Sequence, residues 1–253
     1  MSAGLRQRLI AAALLGASLL LGGCATAQRP DPLEGYNRKV YAFNDAVDGA
    51  VLRPVATTYR DVVPAPVRTA VGNFFNNIKD VWSAANLFLQ GRPGDGIQDL
   101  MRFGTNTIFG VLGLADVATD LGMERHGEDF GQTLGVWGVG PGAYIVWPLL
   151  GPSTLRDSVG LPIELQMSPT TWVTPERDRY LMSATSVVQT RAELLKATGM
   201  LDDIALDKYT FIRDAYLQRR RNLVYDGNPP DEEDPPLDEA PLPEPAASGA
   251  SAP

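Results

Sequence analysis

An uncharged, glycine-rich stretch in the middle of the chain most limits how this sequence can fold. Between Asp129 and Arg156 there is no charged residue, and the stretch holds six glycines and three prolines. A transmembrane helix needs about 20 apolar residues without such interruptions, so this stretch cannot cross a bilayer as a regular helix. Irregular backbone lies at membrane depth only where protein or a watery cavity covers its amide and carbonyl groups. A re-entrant or interfacial segment and a loop packed in a soluble core both fit this composition.

Two further stretches favour contact with a membrane. Residues 81–91 and 103–115 are also uncharged, and both are rich in large apolar side chains. Tryptophan and tyrosine, which settle at the headgroup level of bilayers, lie in or beside the apolar runs. These aromatic residues are Trp82, Trp137, Tyr144, Trp147 and Trp172. Several such stretches in one chain are unusual for a water-soluble globule.

The first 24 residues have the layout of a bacterial lipoprotein signal. Arg6 and Arg8 precede an apolar run over residues 9–21, and two glycines then lead to Cys24, which is the one cysteine in the sequence. This pattern predicts a cleaved signal peptide over residues 1–23. Cys24 then carries acyl chains such as palmitate, and residues 24–30 form a tether. Two or more acyl chains anchor a protein stably to a membrane. The alternative is an ordinary signal peptide with an incidental cysteine.

The negative charge of the chain is concentrated at its C-terminus. Residues 226–253 hold eight acidic residues, eight prolines and no Lys or Arg, whereas residues 1–225 hold 22 acidic and 22 basic residues. The tail lacks the apolar residues needed to bury a core, which predicts disorder. A nearly neutral body does not suggest a nucleic-acid partner.

Helical periodicity covers most of the remaining chain. Apolar residues recur every three or four positions over residues 36–52, where Pro54 is expected to end the helix, and over residues 67–89, where Gly91 suits an end cap. The same spacing predicts helices over residues 95–109, 178–198 and 207–225. The expected fold class is all-α, interrupted by irregular glycine-rich segments.

Residues that carry catalysis or bind metals are sparse. His126 is the only histidine, and the sequence has neither a G-x-S-x-G nucleophile elbow nor ligands spaced for zinc. The run Gly138 to Gly142 lacks the spacing of a dinucleotide loop. We therefore expect no enzymatic activity, no cofactor and no metal. His126 is interpreted as a polar loop residue that binds its neighbours by hydrogen bonds.

Short motifs spread over residues 31–225 resemble the MlaA (VacJ) family of lipoproteins. The N-terminal ones are Asp31-Pro32-Leu33-Glu34-Gly35-Tyr36-Asn37-Arg38, Tyr41-Ala42-Phe43-Asn44 and Val63-Pro64-Ala65-Pro66-Val67-Arg68. The later ones include Asn73-Phe74-Phe75-Asn76-Asn77, Ala85-Asn86-Leu87-Phe88-Leu89-Gln90-Gly91, Asp129-Phe130-Gly131-Gln132-Thr133-Leu134-Gly135 and Leu155-Arg156-Asp157. The acidic tail over residues 226–253 has no fixed counterpart in this pattern.

The resemblance implies a mostly helical, ring-shaped lipoprotein embedded in the periplasmic face of the Gram-negative outer membrane. Such proteins associate with trimeric porins and remove phospholipid mislocalised to the outer leaflet. They pass the lipid through an amphipathic channel to a periplasmic carrier and thereby maintain lipid asymmetry. Ala25 follows Cys24, so the Asp that retains lipoproteins in the inner membrane is missing.

Two segments are candidates for the lipid path. Gly135, Gly138, Gly140 and Gly142 expose backbone donors without charge, which suits weak, reversible contact with phosphate. Phe43 and Asn44 place an apolar and a polar side chain together on a helix that could move. A structural envelope lipoprotein that moves no lipid is the alternative function, and a lipid hydrolase is a more remote one.

Overall fold

The computed structural model describes residues 31–167 and 169–230. The predicted signal peptide, Cys24, the tether and the tail beyond residue 230 lie outside the described residues. The helices and strands, numbered in chain order, have the following bounds: α1 Glu34–Val47, a π-helical turn Asp48–Leu52, α2 Arg53–Val62, α3 Ala65–Leu89, α4 Pro93–Ile108, α5 Val117–Asp120, α6 Phe130–Val136, β1 Tyr144–Trp147, β2 Gly151–Thr154, α7 Leu155–Met167, a 3₁₀ turn Pro169–Trp172, α8 Glu176–Ile204 and α9 Lys208–Val224.

The first helix runs past the point where Pro54 was expected to end it. The π-helical turn Asp48–Leu52 connects α1 to α2 without a break, and Pro54 occupies the first turn of α2. Proline is tolerated there because the hydrogen-bond register has just changed at the π-turn. The chain leaves the helix only at Val63, whose extended backbone (φ −88°, ψ 122°) is the conformation that the following Pro64 requires.

The most extensive contact between helices joins α3 and α4, and the bonds from Asn77 to Thr107 and from Ser83 to Asp99 show that the two run antiparallel. Gly91 ends α3 with a φ of +77°, as its sequence position predicted. α8 packs against α2 and α3, and α9 packs against α6 and β2.

A short antiparallel hairpin lies inside the glycine-rich stretch. β1 and β2 pair with Tyr144 opposite Thr154 and Trp147 opposite Gly151. Tyr144 and Val146 form a buried apolar cluster with Tyr209 of α9. Residues 137–143, which precede the hairpin, have no regular structure.

The predicted all-α fold class is confirmed, since helices account for most of the described chain and the hairpin is its only sheet in the described part. Among the described residues, no helix combines the length and the hydropathy that crossing a bilayer requires.

Candidate functional site

Helix α4 buries its polar residues and exposes its apolar ones, which is the reverse of a helix on the surface of a soluble protein. Its buried residues are Gly96, Asp99, Arg102 and Asn106. Its exposed face instead holds Ile97, Leu100, Met101 and Ile108, of which Ile108 is 74% exposed. In a soluble protein the large apolar side chains of such a helix cover the core and its charged residues face water. The outer face of α4 is therefore made for a non-aqueous neighbour.

The same inversion holds across the described residues. Fifteen buried residues are polar or charged, and eleven are hydrophobic. Large hydrophobic side chains that are exposed number 37 over the same residues. Because soluble proteins rarely expose wide apolar patches, this distribution indicates a lipid or protein partner over much of the surface.

Arg102 is the centre of the polar contacts between α3, α4 and the segment that follows them. Its guanidinium donates two hydrogen bonds to Asp116, at 3.0 and 3.1 Å, and one to Thr119 at 3.1 Å. It also lies 3.5 Å from Asp80 of α3, a carboxylate that accepts a 2.6 Å bond from Arg125. Burial raises the pKa of Asp80, although the two arginines oppose this shift. Polar contacts of this kind hold helices together where the hydrophobic effect cannot.

His126 takes part in a second group of polar contacts between α3 and α4. Its Nδ1 lies 2.9 Å from Asp99 Oδ1, and the other oxygen of Asp99 accepts a 2.5 Å bond from Ser83. Ser83 Oγ in turn accepts from the Glu128 amide at 2.9 Å. This is the hydrogen-bonding role that the sequence suggested for His126.

An apolar tip follows α4. Ile108, Phe109, Val111 and Leu112 are each between 67% and 74% exposed. Val111 and Leu112 have positive φ angles of 53° and 58°, a conformation that residues other than glycine rarely adopt, least of all a residue branched at Cβ such as Val111. Two backbone hydrogen bonds hold this strained turn in place: the Leu112 amide donates to the Thr107 carbonyl, and the Gly113 amide donates to the Asn106 carbonyl. It directs four large apolar side chains outwards.

The four candidate glycines lie in two different environments. A Cβ at Gly135 would come within 2.8 Å of Arg156 and Val224, and one at Gly142 would come within 3.0 Å of Leu155. A Cβ at Gly138 or Gly140 meets nothing within 4 Å, and Gly138 has a φ of +89°. Gly135 thus lies at a packed helix contact, whereas Gly138 and Gly140 lie on the open part of the segment.

Phe43 and Asn44 lie apart from these glycines. Phe43 is 51% exposed. The Asn44 side chain donates to the Trp147 carbonyl at 3.0 Å and accepts from the Leu149 amide at 2.8 Å. It therefore contacts the turn after β1, whereas Gly142 precedes β1. No hydrogen bond of the described residues joins Phe43 or Asn44 to these glycines.

A small pocket of about 190 Å³, lined by both polar and apolar side chains, lies beside the start of α6. Arg220 of α9 donates to Asp129, which caps α6, and to Asp157 of α7 at 2.9 Å. Burial alone would raise the pKa of Asp129, but the bonds from Arg220 lower it overall. Glu164 of α7 accepts from the Phe130 amide at 3.0 Å. Burial, together with the Asp129 charge, raises the pKa of Glu164 to about 7.

Comparison with known proteins gives this arrangement a family. The sequence profile described as MlaA lipoprotein matches residues 29–223. The chain belongs to the MlaA family. The intermembrane phospholipid transport system lipoprotein MlaA of Escherichia coli K12 is 37% identical over 89% of this chain and 92% of the relative. The protein of the same name from Haemophilus influenzae is 31% identical over 88% of this chain and 93% of the relative.

A solved structure also matches this MlaA-family chain. It is described as the structural basis for maintenance of bacterial outer membrane lipid asymmetry. Its TM-score with this chain is 0.68 at 37% identity, and the match covers 78% of this chain and all of the other.

Two polar residues of the MlaA-family domain were not singled out by the sequence. Asn37 is fully buried, donates to the Tyr144 carbonyl at 3.0 Å and accepts from the Val146 amide at 2.8 Å. Arg102 likewise lies in a short motif that resembles the family, Arg102-Phe103, but the motif does not show that the residue is buried. Asn37 lies within the motif over residues 31–38, whereas Arg102 shares the polar buried face of α4 with Asp99 and Asn106.

Proposed function

We propose that this protein is an outer-membrane lipoprotein that removes mislocalised phospholipid from the outer leaflet and so maintains lipid asymmetry. Cys24 anchors it to the periplasmic face of the outer membrane of a Gram-negative bacterium. The phospholipid passes through an amphipathic channel and is handed to a periplasmic carrier of the same pathway. The protein itself catalyses no reaction and needs no cofactor.

The observation that carries this proposal is the inverted distribution of residues on α4. Ile97, Met101 and Ile108 face outwards, and Asp99, Arg102 and Asn106 face inwards. An apolar exterior can rest among acyl chains, while a polar interior keeps hydrogen-bonding groups away from them. Membership of the MlaA family also supports this proposal, because its named relatives belong to an intermembrane phospholipid transport system.

We further propose that the domain is a ring embedded in the inner leaflet of the outer membrane. No described helix can cross the bilayer, and exposed apolar groups occur on α4, on the tip after it and on the turn after β1, as well as on other helices. This arrangement suits a protein that lies within one leaflet. A trimeric porin is the proposed neighbour that covers part of the remaining apolar surface.

The test is to measure phospholipid in the outer leaflet of intact cells that lack this protein. We expect phospholipid to accumulate, and wild-type protein to reverse the accumulation. Cys24→Ala should fail to reverse it, which would show that the anchor is required. No accumulation, in a strain without a second pathway, would instead favour the structural alternative.

A second measurement separates transport from a purely structural role. We expect the protein purified in mild detergent to retain phospholipid, detected by lipid mass spectrometry. A structural lipoprotein that acts through protein contacts has no reason to retain lipid beyond its own anchor. Release of lysophospholipid or fatty acid during incubation would identify a hydrolase.

A further inference from the structure

An apolar groove of about 480 Å³ lies between α2 and α8, away from the residues described above. Pro54, Val55, Val62, Val63 and Val188 supply most of its wall. Two polar side chains complete it, but both turn their polar atoms to protein. Thr58 Oγ1 donates to the Pro54 carbonyl at 3.0 Å, and Tyr59 OH donates to Gln189 at 2.7 Å. The groove therefore presents only hydrocarbon to an occupant.

The groove has the dimensions of a ligand site. Its volume falls within the range of about 300 to 1,000 Å³ that is usual for small-molecule sites. It follows α2 from Pro54 to Val63, a distance of about 14 Å at the helical rise per residue. An open and almost wholly apolar site that follows a helix for this length suits an extended hydrocarbon chain better than a compact molecule.

Arg68 lies at the Val63 end of the groove. Its Nη1 donates to the carbonyls of Arg60 and Val63, each at 2.5 Å, where α2 ends. A guanidinium has five N–H donors, so its Nε and Nη2 groups remain available after these two bonds. No carboxylate of the described residues lies within ion-pair distance of Arg68, and the neighbouring Asp61 is paired with Arg60 at 3.0 Å. The half-buried guanidinium beside the groove therefore has no ion-pair partner among the described residues.

We propose that this groove binds one acyl chain of a phospholipid while Arg68 binds the phosphate of the same molecule. A phosphate diester carries a negative charge whatever its headgroup, and a planar guanidinium can bind two of its oxygens at once. The inference deepens the proposed function, on which it rests, by naming a place where the transported lipid is held.

The experiment places a photo-cross-linking amino acid at position 188 of the full-length lipidated protein in cells. A matched control places it at position 187, because Val187 is the exposed neighbour on α8 that does not line the groove. After irradiation, mass spectrometry identifies the adduct. We expect a phospholipid adduct at position 188 and little at position 187. Equal adducts at both positions, or an adduct with a second copy or another protein at position 188, would overturn the proposal.

The role of Arg68 is tested in the same assay. We expect Arg68→Ala to lower the phospholipid adduct at position 188 about tenfold, as loss of a charged hydrogen bond implies. Arg68→Lys should retain part of it, and Arg219→Ala, which removes an exposed arginine of α9, should leave it unchanged. An adduct that persists unchanged in Arg68→Ala would refute the phosphate contact.

Because Arg68 also bonds to carbonyls at the end of α2, its removal could disturb that helix. A second variant therefore changes the groove and leaves Arg68 in place. Thr58→Phe fills the groove without touching Arg68, and we expect it to abolish the adduct at position 188. A phospholipid adduct unaffected by Thr58→Phe would contradict the groove as the binding place. The outer-leaflet measurement is independent of these adducts. Wild-type complementation without any groove adduct would end this inference and leave the proposed function standing.

Discussion

At the scale of single residues, buried amides join parts of this chain that are far apart in sequence. Asn37 is a clear case, because its side chain bonds to both neighbours of Ile145 on the edge of β1 that β2 does not cover. Its amide also donates to Asp31 at 2.8 Å. Asn37 thus substitutes for a missing third strand.

Asn37→Ala should lower the free energy of unfolding by about 3 kcal/mol, since it leaves a buried carbonyl and a buried amide unpaired. Chemical unfolding in detergent, followed by tryptophan fluorescence, measures the change. Asn73→Ala is the matched control, because the Asn73 side chain makes one exposed bond, to the Leu114 carbonyl. Its cost should stay below about 1 kcal/mol. Equal effects of the two variants would argue against the edge-strand role of Asn37.

Glu164 makes stability depend on pH in a defined direction. Its pKa rises from an ordinary value of 4.5 to about 7 on folding, so between these values the folded protein binds more protons than the unfolded chain. The contribution of Glu164 to the free energy of unfolding is therefore fully present below about pH 4.5 and is lost as the pH rises through 7.

Glu164→Gln should remove this dependence while keeping an oxygen that accepts from the Phe130 amide. We expect the variant to gain stability relative to wild type as the pH is raised from 5 to 8, in unfolding curves measured at each pH. Glu124→Gln, which removes an exposed carboxylate on the segment after α5, serves as control. A constant difference between Glu164→Gln and wild type across this range would contradict the assignment.

At the scale of elements, periodicity predicted where the long helices lie, although α8 runs from Glu176 to Ile204 and so passes the end expected at residue 198. The helices expected over residues 67–89 and 95–109 are observed as α3 and α4, with ends shifted by two residues or fewer. The helix end predicted at Pro54 is wrong because a π-helical turn cannot be recognised from the spacing of apolar residues. The hairpin and α6 were not predicted, since their backbone is fixed by distant partners such as Asn37 and Arg220 rather than by local pattern.

The open part of the glycine segment allows a test of transport that the packed part does not. Gly140→Leu should fold normally, because a side chain at Gly140 meets no neighbour, yet it should block the lipid path. Outer-leaflet phospholipid should then accumulate while the protein stays in the membrane. Gly135→Leu should instead reduce the amount of folded protein, because it collides with Arg156 and Val224. Full transport by Gly140→Leu would count against this segment as part of the path.

At the scale of the whole molecule, the sequence could not show which side of each helix faces the protein. Ile97, Leu100, Met101 and Ile108 form the stripe that identified α4, and a soluble fold would bury it. The structure exposes these side chains and buries Asp99 and Arg102 instead. Periodicity reports that a helix has two faces, whereas the partner of each face depends on the solvent.

The exposed apolar surface should bind membranes without help from the lipid anchor. We expect purified Cys24→Ala to float with liposomes in a density gradient and to stay bound at high salt, since apolar burial is not screened. Replacing Phe109 and Leu112 of the apolar tip by Ser should reduce flotation of this variant. A Cys24→Ala protein that stays at the bottom of the gradient would show that the anchor alone holds the chain.

The hydrogen bonds between the Asn37 side chain and β1 also affect the order in which parts of the protein fold. An isolated two-stranded hairpin is marginal in water, and here its outer edge is completed by a residue 107 positions earlier. The chain must close that long loop before the hairpin gains its full set of bonds, and such distant contacts form slowly. We infer that the docking of α1 onto β1 is a late step in folding.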